Sequence, residues 1–83
     1  MNKEHLHFHL QEALEELSRT VAQCENDSEF SEAELLVGIQ HLYHHLNTAW
    51  NTRNLGPERI EKATDQDFNV WSLFPNDLPF MSV

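Results

Sequence analysis

The sequence has few of the residues that form disulfide bonds or interrupt helices, with one Cys, two Gly and three Pro in 83 residues. A single cysteine excludes an internal disulfide bond. The two glycines are isolated, which excludes a glycine-rich phosphate-binding loop. No apolar run approaches the roughly 20 residues of a membrane-spanning helix. Disulfide scaffolds, phosphate-loop enzymes and membrane-spanning proteins are therefore disfavoured as classes.

Positive charge is the second scarcity, because five Lys and Arg face fourteen Asp and Glu and give a formal net charge of -9. Such a charge repels nucleic-acid phosphates and the anionic membrane surface. We therefore expect no direct nucleic-acid binding and no membrane association, and an acidic surface suited to a basic protein partner. The opening Met-Asn-Lys-Glu-His is charged, unlike a signal peptide, which predicts a cytoplasmic location.

The length of 83 residues predicts one small domain over residues 1–83. A chain of this size buries only about 60% of the surface that its unfolded form exposes, so its core is marginal and often relies on a partner subunit or a metal. The composition changes near Leu55-Gly56-Pro57. We expect a helical hairpin over residues 1–54, with short helices and an aromatic tail packing on it over residues 55–83.

The first segment has the apolar spacing of an amphipathic helix. Asn2 is placed to cap this helix, Glu4 in the first turn suits the helix dipole, and the polar cluster at residues 25–28 predicts its end. The apolar stripe consists of residues at spacings of three and four: Leu6, Leu10, Ala13, Leu14, Leu17, Val21 and Cys24.

A second helix is predicted from Glu32 to about Arg53. It begins with a capping box, Ser31-Glu32-Ala33-Glu34. Its main apolar stripe is Leu35, Ile39, Leu42, Leu46 and Ala49, and a flank at seven-residue spacing adds Leu36, Tyr43 and Trp50. This apolar arc is wider than one neighbouring helix needs.

The last third of the chain is predicted to hold short pieces. A proline at a first helical position predicts a short helix over residues 57–63, and the capping signal at residues 64–67 predicts another over residues 65–73. The alternative for the second piece is extended chain over residues 68–74. Two prolines keep residues 76–83 out of regular helix.

We expect the two long helices to pair antiparallel through a short loop. A helix of about 21 residues spans about 31 Å, which is long for a globule of this size with a radius of gyration of about 12 Å. Packing two hairpins across their apolar stripes resolves the mismatch. The sequence therefore predicts an all-α fold that forms a four-helix bundle as a homodimer.

Histidine is the unusual residue, with six copies in two groups at residues 5–9 and 41–45. Each group contains a pair at i, i+4, so each presents two imidazoles on one side of its helix. Imidazole is a common ligand of zinc and other transition metals, and an antiparallel hairpin brings the two groups to a similar level. The alternative function is therefore a metal- or ligand-binding bundle that uses His9, His41 and His45, with Glu12 or Glu16 as a further ligand.

The helical wheel favours a plainer interpretation of the second group. It places His41, His44 and His45 away from the apolar stripe, on the expected outer face of the hairpin. Metal ligands in helical bundles project inward instead. We therefore predict solvated histidines and no cofactor. A pH response through repulsion between charged imidazoles is a further hypothesis.

A second candidate surface lies where the second long helix must end. Trp50 and Arg53 among several Asn offer a stacking surface with planar hydrogen-bonding groups. The same residues suit a helix end, where Arg53 reaches the last carbonyls and Trp50 packs on the aromatic tail, at Trp71 or Phe74. The predicted interaction residues are Leu36, Tyr43, Trp50, Arg53, Trp71 and Phe74.

No catalytic signature accompanies these groups. His-Leu-Tyr-His-His lacks the Glu of a zinc metalloprotease helix, and Cys24 has acidic neighbours that do not favour a thiolate. A helical hairpin also offers little concavity for acid–base chemistry. We therefore expect a non-enzymatic homodimer that binds another protein, and an enzyme is the least favoured class.

Overall fold

The protein is described by a computed structural model that covers residues 1–79 and 81. These residues contain four helices and no strand: α1 (Lys3–Asn26), α2 (Glu32–Asn51), α3 (Pro57–Glu61) and α4 (Asp65–Trp71). Helices α1 and α2 pack against each other as a long antiparallel pair. The predicted all-α class and helical hairpin are confirmed. The alternative of extended chain over residues 68–74 is wrong, because helix α4 continues to Trp71.

Helix starts follow the capping residues. The Asn2 side-chain oxygen accepts a hydrogen bond from the His5 amide at 3.2 Å. Ser31 opens α2 with a capping box, and the Thr64 hydroxyl oxygen accepts from the Asp67 amide at 3.1 Å. Each side chain satisfies a backbone donor that the first turn leaves without an intrahelical partner. The predicted starts are therefore confirmed.

Helices α2, α3 and α4 each end two residues before the predicted position. The backbone amides of Arg53, Ala63 and Leu73 bond to carbonyls three residues earlier rather than four, at 3.3, 3.1 and 3.1 Å. Such bonds tighten the last turn out of α-helical geometry. The sequence carries no residue type that distinguishes this tighter turn from a longer helix.

Small and polar side chains form the interface between α1 and α2. The buried residues of the two helices and of the residue that caps α2 include Ala13, Thr48, Ala49 and Thr52. The Thr48 and Thr52 hydroxyls donate to carbonyls one turn earlier, at 2.7 and 2.6 Å, so both are buried with their hydrogen bonds made. The helices are in close contact at Gly38, where an added Cβ would lie 2.5 Å from the Thr20 hydroxyl oxygen.

The larger aliphatic side chains lie on a different side of the hairpin, here called the apolar face. They are exposed in the described structure: Leu10, Leu14, Leu17 and Val21 on α1, and Leu35, Ile39 and Leu46 on α2. Both helices contribute to the same side, because Leu10 and Leu46 line one groove of about 210 Å³. The chain is correspondingly elongated, with a Cα radius of gyration of 14.7 Å against about 12 Å for a compact globule of this length.

The open end of the hairpin is tied together and carries the rest of the chain. The Asn2 amide donates to the Arg53 carbonyl at 2.8 Å, which joins the start of α1 to the end of α2. Two α2 amides then hold the end of α4: Asn47 donates to the Ser72 carbonyl at 2.9 Å, and Asn51 donates to the carbonyls of Trp71 and Leu73 at 2.7 and 2.9 Å. The C-terminal third therefore packs on its own hairpin.

The tail after α4 is irregular through residue 79, as predicted. The prediction for Phe80, Ser82 and Val83 lies outside the described residues.

Replacing Asn51 with Ala should loosen α4 from the hairpin. The substitution removes two hydrogen bonds that span 20 and 22 positions of sequence, and we expect a loss of about 1 kcal/mol in unfolding free energy. Urea unfolding followed by tryptophan fluorescence measures it. Asn54→Ala, at an exposed position just beyond α2, is the matched control. Equal losses in the two variants would contradict the docking role of Asn51.

Candidate functional site

The most unusual polar feature of the structure is a group of imidazoles between the two long helices, here called the histidine cluster. His9 is only 7% exposed, and its Nδ1 lies 3.1 Å from the Nδ1 of His45. The ring of His5 meets that of His9 edge-on at 4.6 Å between centroids. The ring of His44 meets that of His45 at 5.1 Å. The cluster therefore consists of His5, His9, His44 and His45.

The placement of His45 corrects the helical-wheel prediction, which was wrong for this residue. Gly38, His45 and the C-cap residue Thr52 recur at seven-residue spacing, and the outer two are buried, with Gly38 against Thr20 of α1. His45 stands between them on the same stripe and so faces α1 rather than solvent. Gly38 and Thr52, which lie seven positions before and after His45, were the signal in the sequence that pointed to this face.

His41 is separated from the cluster. Its side chain is 62% exposed, and its Nδ1 lies 3.5 Å from a carboxylate oxygen of Glu16. The same oxygen of Glu16 accepts from Arg19 at 2.6 Å. The structure thus brings together two of the three predicted metal-ligating residues, His9 and His45. Within the described residues, no group of three or more His, Cys, Asp or Glu is already arranged to hold a metal ion.

Burial favours the neutral form of His5, His9 and His45 in the histidine cluster. It lowers the pKa of His9 to about 4, and the neighbouring imidazoles of His5, His45 and His44 act in the same direction. Burial also lowers the pKa of His5. The pKa of His45 is lowered by burial and then by His44, against an opposing effect of Glu12. In this neutral state one Nδ1 of the His9–His45 pair carries the proton and the other accepts it.

Acid should destabilise the hairpin through this cluster. The folded pKa of His9 lies below the ordinary 6.5, so the unfolded chain binds more protons and stability falls as the pH drops from about 6.5 towards 4. Between pH 7.5 and 5.5 we expect a loss of about 1 kcal/mol, measured by urea unfolding with a chelator present. The lower pH stays above the isoelectric point of 4.9, which limits association at zero net charge.

Two variants test whether the loss of stability in acid comes from His9. His9→Gln removes the buried titrating group and should reduce the pH dependence. His7→Gln changes an exposed histidine two positions away and should leave the dependence intact. If His9→Gln loses as much unfolding free energy between pH 7.5 and 5.5 as the unaltered chain does, His9 is not the group responsible.

A second cluster joins the end of α2 to the tail. The guanidinium of Arg53 lies 3.9 Å from the Trp50 ring centre, and its Nη1 donates to the Trp50 carbonyl at 2.7 Å. Both side chains contact Asp77: the indole N–H of Trp50 donates to it at 2.9 Å, and Arg53 forms an ion pair with it at 3.3 Å. The hydrogen bond from Trp50 lowers the pKa of Asp77, and Arg53 adds to the effect. The sequence did not predict this role of Asp77.

The other predicted interaction residues divide between the tail contact and open surface. Trp71 is 9% exposed and meets Phe68 edge-on at 5.5 Å between centroids. Tyr43 meets Phe74 of the tail at 6.3 Å. Leu36 lies on the exposed flank of α2. Trp50, Arg53, Tyr43, Trp71 and Phe74 thus take part in contacts within the C-terminal third or between it and α2.

Comparisons with known proteins leave the function to be argued from this geometry. No family model, curated protein or solved structure matches the chain. Among the described residues, no helix combines the length and the apolar character that crossing a membrane requires. The features available for a functional argument are therefore the apolar face, the histidine cluster and the acidic surface.

Proposed function

We propose that the chain is a small acidic protein-interaction module that works as a homodimer and without catalysis. The observation that carries the proposal is the apolar face. Seven large aliphatic side chains of α1 and α2 are exposed there, while small and polar residues fill the interface between the same helices. Contiguous apolar surface of this kind marks an interaction site on a folded protein.

A second copy of the chain is the occupant that fits this face. The face carries leucine, isoleucine and valine on both helices, so two copies related by a two-fold axis present the same apolar surface to each other. Such packing places four long helices around one core, which is the arrangement of a four-helix bundle. It also supplies the buried area that an 83-residue chain lacks alone.

The outer surface of such a dimer favours a basic protein partner. The formal net charge of each chain is -9, and the apolar face carries none of it. The carboxylates therefore remain on the sides that a dimer leaves open to solvent. Charge of one sign steers association with a surface of the opposite sign, and the attraction weakens as salt rises.

Native mass spectrometry of the untagged chain, together with sedimentation over a range of concentrations, tests the dimer. The expected result is a species at twice the 9.7 kDa chain mass, with little binding of a hydrophobic dye. The dye test matters because dimerisation covers the apolar face. A stable monomer that binds no dye would contradict the proposal.

A further inference from the structure

The spacing of the His9–His45 pair suits two ligands of one metal ion. The two Nδ1 atoms are 3.1 Å apart and come from different helices. In tetrahedral zinc sites with Zn–N bonds of 2.0 to 2.1 Å, two ligating nitrogens lie about 3.3 Å apart. The pair therefore stands within a few tenths of an ångström of the spacing that a bridging zinc ion needs.

Both nitrogens become available as ligands once the proton that the pair shares leaves Nδ1. His9 is buried and its ring contacts are with further imidazoles, which are metal ligands in their neutral form. Without metal, the pair can share only one proton between its Nδ1 atoms. The Nε2 of neighbouring His5 is buried and has no hydrogen-bond partner among the described residues. The His9–His45 contact and this unpartnered His5 nitrogen thus place several imidazole nitrogens close together beside His9.

Glu12 is the residue best placed to act as a third metal ligand beside His9 and His45. It follows His9 by three positions, so it lies on the same side of α1, and its side chain is partly buried there. Its negative charge acts on His45 across the hairpin. Glu16, one turn further along, is already engaged by Arg19 and His41.

We propose that His9 and His45, with Glu12 as third ligand, bind one Zn²⁺ ion per chain and so link α1 to α2. Two imidazoles and a carboxylate are a common protein donor set for zinc, with water in the fourth position. The described residues show the two nitrogens in place and no third ligand already beside them, so the proposed site requires the Glu12 carboxylate to approach the ion by a change of side-chain rotamer. The site differs from the set His9, His41 and His45 in replacing the exposed His41. It stands whether or not the chain dimerises.

Titration calorimetry with Zn²⁺ on the untagged, chelator-treated full chain at pH 7.5 tests the proposal. The expected result is one zinc ion per chain, with binding weakened at least about tenfold by His9→Gln and by His45→Gln. Glu12→Gln should weaken it in the same direction. His7→Gln and His41→Gln replace exposed histidines and should bind zinc as the unaltered chain does.

Helix content measured by circular dichroism shows that each variant is folded, and the thermal midpoint gives a second readout. Zinc should raise the midpoint of the unaltered chain and leave that of His45→Gln unchanged, because only an ion bound to the folded hairpin stabilises it. If His9→Gln does not fold, zinc binding by His45→Gln and Glu12→Gln tests the site instead. Absence of binding, retention of binding in those variants, or equal weakening by His7→Gln would each overturn the site.

Discussion

A single glutamate on the apolar face, at Leu14 or at Ile39, should turn the proposed dimer into a folded monomer. These side chains are 56% and 37% exposed on one hairpin, so a charge there is tolerated by the isolated chain. In a two-fold dimer each substitution occurs twice and places both carboxylates in an apolar interface without partners. We expect self-association to weaken by about 100-fold or more.

Val37→Glu is the matched control for this experiment. Val37 is an exposed aliphatic residue of the same helix, and it lies two positions before Ile39, about 160° away round the helix. Sedimentation velocity should show a dimer for Val37→Glu and monomers for Leu14→Glu and Ile39→Glu, with similar helix content in all three. Persistence of the dimer in both face variants would mean that the apolar face is not the interface. Dissociation of all three would point to added charge in general.

Gly38→Ala should destabilise the hairpin by about 2 kcal/mol, which is a large fraction of the stability of a small domain. The new Cβ would lie 2.5 Å from the Thr20 hydroxyl oxygen and 3.1 Å from its methyl carbon. Rotation of Thr20 can move the hydroxyl away from the new Cβ, but it breaks the hydrogen bond that the hydroxyl donates to the Glu16 carbonyl at 2.9 Å. Alanine favours a helix over glycine by about 1 kcal/mol, which offsets only part of the loss.

Two further variants separate packing from helix propensity. Gly56→Ala places a methyl group where no other atom lies within 4 Å, so little change is expected. Thr20→Ala in the Gly38→Ala background removes the two closest atoms and leaves the Thr20 Cβ position at 3.4 Å, an ordinary contact. Urea unfolding of the single and double variants should therefore show recovery. A Gly38→Ala chain as stable as the original would show that the helices do not approach this closely in solution.

The helices were predictable because their signals are local. Asn2, the Ser31 capping box and the Thr64 capping box mark three starts within a few residues of sequence, and all three are confirmed. Apolar spacing also identified both long helices. The helix ends were harder to predict, because a final turn whose amides bond to carbonyls three residues earlier has the same composition as one whose amides bond four residues earlier.

The packing faces were harder to predict, because apolar residues are not the only ones that bring helices together. A helical wheel weighted by hydrophobicity draws attention to leucines and passes over a stripe such as Gly38, His45 and Thr52. Small residues gain contact by close approach, and threonine satisfies its hydroxyl on its own helix. His45 was consequently expected in solvent, although the similar level of His9 along the hairpin was anticipated.

The attachment of the tail depends on pairs that are distant in sequence. Trp50 meets Asp77 across 27 positions, and Asn47 reaches Ser72 across 25. No periodicity relates such partners, and any of several acidic residues would satisfy an indole N–H. The general expectation of an aromatic tail on α2 was therefore available from the sequence, while Asp77 was not.

The open end of the hairpin is held by many more tertiary contacts than the end that carries the turn. The Asn2–Arg53 bond, α4 and the Asp77 contacts all gather at the open end, whereas residues 21–37 around the turn are exposed except for the half-buried Phe30. Local opening needs least free energy where few buried contacts break. Amide hydrogens near the turn should thus exchange with solvent faster than those near Thr48 and Thr52. A partner that covers Val21 and Leu35 on the apolar face would slow hydrogen exchange near the turn. The protection of these amides therefore shows whether the apolar face is occupied.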